Sequence, residues 1–152
     1  MKNQKLHLEQ LERKLSPYGK ANQSGRPEIG WIKTIRKSLG MSLEQLGRKM
    51  GMSKQSIQSM EKRESTGAVT ISALNEVAKA LDMELVYGFV PKGGSVMNLV
   101  EEKAKKMATE IVLRTSQNMR LEDQSLPYQR IEKAIADRTQ EILKELPKTL
   151  WD

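Results

Sequence analysis

The sequence predicts an all-α protein in the main: a compact bundle built around a helix-turn-helix, one short β-strand, and a C-terminal helical extension. Three observations predict it. Apolar residues recur at spacings of three and four through most of the chain. Two helical patterns, 42–50 and 53–62, are separated by only a few residues around Gly51, which is helix-turn-helix spacing. Residues 84–91, ELVYGFVP, are instead β-branched and aromatic and end in Pro91-Lys92-Gly93-Gly94.

Residues 1–27 read as an N-terminal helix and a linker. Leu8, Leu11 and Leu15 mark a short amphipathic helix over 3–15. Ser16-Pro17, Gly19, Asn22, Ser24, Gly25 and Pro27 then predict a loop from 16 to 27, with Lys20 and Arg26 available as a basic arm. Residues 28–83 form the helix-turn-helix body. Trp31, Ile32, Ile35 and Leu39 make the apolar stripe of its first helix, which Gly40 ends. Ser42 and Gln45 have capping-box spacing before a second helix, with Leu43, Leu46 and Met50 inward. Gly47 falls where two helices cross closely, and Gly51 suits a left-handed turn. Ser53 caps the next helix, whose Ile57 and Met60 face the core. Thr70-Ile71-Ser72 opens another, with Leu74, Val77, Ala78 and Leu81 inward.

Residues 84–94 read as strand and turn. A single strand in a helical chain has unpaired edges, and pairing with the same strand of a second copy across a two-fold axis satisfies them. This assigns Leu85, Val86, Tyr87, Phe89 and Val90 to a homodimer interface, a buried extended connector being the alternative. Residues 95–152 read as a helical hairpin for dimerisation or partner binding. Met97, Val100, Ala104, Met107, Ala108 and Ile111 trace one face to about residue 121, and Leu126-Pro127 interrupts it. Ile131, Ile135, Ile142 and Leu146 follow until Pro147, with Trp151 at the end.

Charge is distributed unevenly. The chain has 26 Lys+Arg against 19 Asp+Glu, a net charge of +7. Residues 1–94 hold 16 basic and 9 acidic side chains, whereas residues 95–152 hold 10 of each. The surplus therefore accompanies the helix-turn-helix, as a polyanionic partner requires. There are no cysteines, which excludes disulfides and thiolate metal sites. No apolar run approaches the roughly 18 residues of a membrane span, and the N-terminus is polar, so a cytoplasmic, nucleoid-associated bacterial protein is expected. His7 is the sole histidine and has no metal-ligand spacing, and no glycine-rich phosphate loop precedes a helix. No enzyme, cofactor or metal is expected. Aromatics at 4% are too few for RNA-stacking platforms.

The helix from Ser53 to about Lys62 is the recognition helix by position. Its outward residues, Lys54, Gln55, Ser56, Gln58, Ser59 and Lys62, are donors and acceptors with no acid before Glu61. Glutamine bonds adenine through its amide, and lysine reaches guanine. Lys54, Gln55 and Ser59 are expected on base edges. Ser53, Ser56 and Lys62 are expected on the DNA backbone, joined by Arg36, Lys37, Arg48 and Lys49. Glu61 is expected to pair with Arg36 and tie the first and third helices together.

The run IRKSLGMSLEQLGRKMGMSKQSIQSMEK resembles the XRE-type helix-turn-helix family over residues 31–82. That likeness implies a lambda-repressor-like bundle binding double-stranded DNA. Leu43 stands where the family commonly has Gln, and Arg63 where it commonly has Gly. GWIKTIRKSLGMS, LVYGFVP, MRLEDQ and the terminal LWD together resemble the mobile mystery protein A family from Arg26 to Asp152. Its members are helix-turn-helix proteins encoded beside a Fic-domain protein. The resemblance implies a repressor of its own operon, bound to an inverted-repeat operator. The alternative it implies is an antitoxin-like protein that restrains the Fic-domain AMP-transferase through residues 95–152. The nearest match to a Fic-inhibitory helix, Ser72 to Glu76, is followed by Val77 and reads as coincidence.

Overall fold

The computed structural model describes residues 2–121 and 127–152. Among these are seven α-helices and no strand: α1 Lys2–Ala21, α2 Trp31–Ser38, α3 Leu43–Met50, α4 Lys54–Thr66, α5 Ile71–Ala80, α6 Val96–Leu121 and α7 Tyr128–Glu145. Short 3-10 turns occupy Asn22–Ser24 and Lys148–Trp151. The chain divides into two compact units, Gln23–Gly88 and Met1–Asn22 with Phe89–Asp152. No helix of the described residues is long and apolar enough to cross a membrane. The expected break at Leu126 and the end of the MRLEDQ stretch lie outside the described residues.

Local signals account for the helices of the first unit. The Ser42 hydroxyl accepts the Gln45 N–H and the Gln45 side chain accepts the Ser42 N–H, which completes the capping box of α3. Gly51 takes the left-handed conformation at φ 64 and stops α3. Ser53 accepts the Ser56 N–H to start α4, and Thr70 accepts the Ala73 N–H to start α5. α4 runs a full turn past the expected end at Lys62, because Arg63 continues the helix and Gly67 at φ 81 supplies the left-handed cap instead. Ile32, Leu46, Ile57, Met60, Val77 and Leu81 form the core of this unit. Each such side chain contributes about 1.5–3 kcal/mol on full burial. Trp31 and Leu39, expected inward, stay about half exposed.

The second unit brings the N-terminal helix onto the C-terminal ones. Val100, Ala104, Ala108, Ile142 and Leu150 form its core, and Leu8 of α1 packs against it. Ala104 and Ala108 are fully buried, so their small side chains let neighbouring backbones approach closely on that face of α6. The Glu12 carboxylate accepts the Val96 N–H at 2.6 Å, capping α6 from α1. α1 does not end at Ser16-Pro17 as expected. It continues through Pro17 to Ala21, because half-buried Leu15, Tyr18 and Gly19 extend the covered stripe beyond Leu8 and Glu12. Arg13 and Pro17 are exposed, so the carbonyl that the proline leaves without a helical donor lies on the solvent side of α1.

The expected strand over 84–91 is not formed. Residues 84–90 make no backbone hydrogen bond among the described residues. The physical reason is that a β-ladder needs a second strand, and the described residues of one copy contain none. Val86, Tyr87 and Phe89 are exposed, with Phe89 at 81%.

Candidate nucleic-acid interface

Two buried carboxylates of α4 hold that helix against α2. The Arg36 guanidinium donates from Nε and Nη2 to the two oxygens of Glu61, and from Nη1 to the Met41 carbonyl. The pair ties the two helices together, as expected, and is almost fully buried. Glu64 lies one turn further along α4. Its oxygens accept the backbone N–H groups of Trp31 and Ile32 at 2.7 and 2.8 Å. Gly30 stands at the N-cap of α2 and has no side chain to cap with, so Glu64 caps from 33 residues away. The positive end of α2 offsets the charge of this buried carboxylate. Arg26 donates to the Ser65 carbonyl at 3.2 Å, placing a cation at the C-terminal end of α4.

With both acids of α4 turned inward, its outer surface carries no exposed carboxylate. Lys54, Gln55, Gln58, Ser59, Lys62 and Arg63 are all exposed. Gln55, Gln58, Ser59 and Lys62 line an open cleft of about 670 Å³ with Glu28, Ile29 and Lys33. Lys54 lies outside that cleft and forms an exposed ion pair with Glu44 at 3.3 Å. Such a pair is worth under about 1 kcal/mol, so it leaves Lys54 free to change partner. At the start of α4 the Ser53 and Ser56 hydroxyls are 2.8 Å apart, and one donates to the other. Lys37, Arg48 and Lys49 are exposed, the last two beside Gln45 along a shallow depression.

Residues 32–87 match the helix-turn-helix family. This segment is a helix-turn-helix domain of the XRE type. The match begins at Ile32, in the first turn of α2, and ends at Tyr87 beyond α5, so it covers every helix of the Gln23–Gly88 unit and less than half of the chain. A helix-turn-helix domain of this type is the DNA-binding part of a regulator, and α4 holds the position of the helix that such motifs place in the major groove. No curated protein and no solved structure matches the chain significantly.

The helix-turn-helix domain gathers Gln55, Ser59 and Lys62 on one surface and sets Lys54 beside it. It does not offer Arg36 to a phosphate. Arg36 was expected on the DNA backbone, but it is 8% exposed and its guanidinium is bound to Glu61 and Met41. It acts as a strut inside the domain. Sequence reading missed Glu64 as a cap, and it missed Lys33 as part of the cleft. A signal for Glu64 was present: Glu61 and Glu64 are three apart, on one helical face with the buried Ile57 and Met60.

Proposed function

We propose that the protein is a dimeric, sequence-specific transcriptional repressor that binds an inverted repeat in the promoter of its own operon. Gln55 and Ser59 meet base edges, with Lys54 released from Glu44 to join them. Ser53, Ser56, Lys37, Arg48, Lys49 and Lys62 meet the sugar-phosphate backbone. Leu85, Val86, Tyr87, Phe89 and Val90 pair two copies, so that two recognition helices address two half-sites. The reading is carried by the acid-free outer face of α4, because Glu61 and Glu64 are both buried while Lys54, Gln55, Gln58, Ser59, Lys62 and Arg63 are exposed. A carboxylate on that face would repel phosphate and restrict base choice.

Selection of duplexes from a random pool by the full-length protein tests this. Enrichment of an inverted repeat is the expected result. Gln55→Ala then relaxes preference at one base pair per half-site, by about 1–3 kcal/mol, with non-specific binding unchanged. Equal loss on all sequences would make Gln55 a scaffold residue.

A second reading is supported by the other compact unit. Residues 95–152, with α1, have their own core and an apolar groove lined by Leu8, Met97, Val100, Leu143 and Leu146. On the resemblance to the mobile mystery protein A family, whose members are encoded beside a Fic-domain protein, this unit binds and restrains a Fic-domain AMP-transferase encoded alongside. Co-expression with the neighbouring reading frame, with and without Met97→Asp and Leu143→Asp, separates this from plain repression.

A further inference from the structure

The cleft beside the recognition helix draws its second wall from residues outside the α3–α4 pair. Lys33, in the first turn of α2, and Glu28, in the turn before it, line this cleft with Gln55, Gln58 and Lys62. Lys33 is half-buried and Glu28 is exposed, and neither side chain makes an ion pair or hydrogen bond among the described residues. Glu61, the remaining acid of the cleft, is occupied by Arg36. An ammonium on a wall facing a polar recognition surface, with no counter-charge of its own, has the chemistry that a phosphodiester takes. Glu28 in the same cleft has the opposite sign.

We propose that Lys33 anchors a DNA phosphate, so that the interface extends from the helix-turn-helix to the N-terminal end of α2, and that Glu28 weakens the same contact. The inference rests on the DNA-binding reading above. It makes the site two-sided: α4 supplies base-edge chemistry, while α2 grips the strand passing the open side of the cleft. Because a phosphate contact is blind to sequence, Lys33 sets affinity and leaves base preference untouched.

Fluorescence anisotropy of the full-length protein with a labelled duplex of arbitrary sequence, over a salt series, tests it. Lys33→Gln is expected to weaken binding about tenfold at low salt and to lower the slope of log K against log salt by about 0.9. Lys33→Arg restores both. Glu28→Gln is expected to tighten binding severalfold, a sign that loss of structure does not produce. Lys79→Gln serves as control, since Lys79 is on α5 and already paired with Glu76. The proposal is overturned if Lys33→Gln behaves as Lys79→Gln does, or if Glu28→Gln weakens binding. A wild type that binds no duplex overturns the DNA-binding reading itself. A wild type that binds while Lys33→Gln is silent overturns only this extension.

Discussion

Glu64 and Ile32 are joined by a hydrogen bond of 2.8 Å from the Ile32 backbone N–H to a carboxylate oxygen, and both residues are buried. The bond sets the recognition helix against the first helix of its domain at the point where α2 begins. Gly30 makes this possible, since a Cβ at that position would lie 2.8 Å from Glu64 Oε2. Its φ of 89 is also one that other residues rarely adopt.

Glu64→Ala is expected to destabilise the protein by about 2–3 kcal/mol, because the buried Ile32 N–H and the part-buried Trp31 N–H lose a charged acceptor. Glu64→Gln keeps one carbonyl acceptor and loses about half as much. Urea denaturation followed by circular dichroism reads both, and a neutral Glu64→Ala would show that the cap contributes nothing.

Arg36 and Glu61 are expected to be strongly coupled. Arg36→Met strands a buried carboxylate and costs about 3–5 kcal/mol, as does Glu61→Met in reverse. The double variant removes both charges and is more stable than either single one. A double-mutant cycle on the same denaturation assay measures this, and additive effects would mean the two side chains are independent.

Gly47 and Gly51 separate two costs of adding a methyl group. At Gly47 a Cβ would meet the Met52 carbonyl oxygen at 2.5 Å, although alanine is the better helix former. Gly47→Ala is expected to destabilise by about 1–3 kcal/mol through that collision. At Gly51 nothing lies within 4 Å and only the left-handed φ of 64 resists, so Gly51→Ala costs about 1 kcal/mol. Thermal melts rank them, and a stabilising Gly47→Ala would show that the turn after α3 can yield.

The exposed 86–89 segment gives a test of dimerisation that does not depend on DNA. Sedimentation equilibrium is expected to find the wild type dimeric and Val86→Lys with Phe89→Lys monomeric. Helical content stays unchanged, because Val86 is 69% and Phe89 81% exposed in the single chain. A monomeric wild type, or a variant that stays dimeric, removes 84–90 from the interface.

The starts of α3, α4 and α5 and the stop of α3 were legible because their signals are local. A capping box needs Ser42 and Gln45 three residues apart, and Gly51 needs only its own freedom at positive φ. The same locality explains the misreadings. Pro17 carries the mark of a helix end, yet α1 continues because its covered stripe runs on through Tyr18. Residues 84–90 have strand composition, and no segment among the described residues pairs with them.

By itself the sequence determined the helical class, the tight turn between α3 and α4, and an α4 whose Ile57 and Met60 face the core. Only the tertiary structure decided which charges remain on the surface. Arg36 and Glu61 are 25 positions apart, and Glu64 reaches N–H groups 32 and 33 positions away. Contacts at such separation depend on where helices cross, and no periodicity records a crossing point. Burial therefore took one expected phosphate contact away and left α4 with an outer face free of acids.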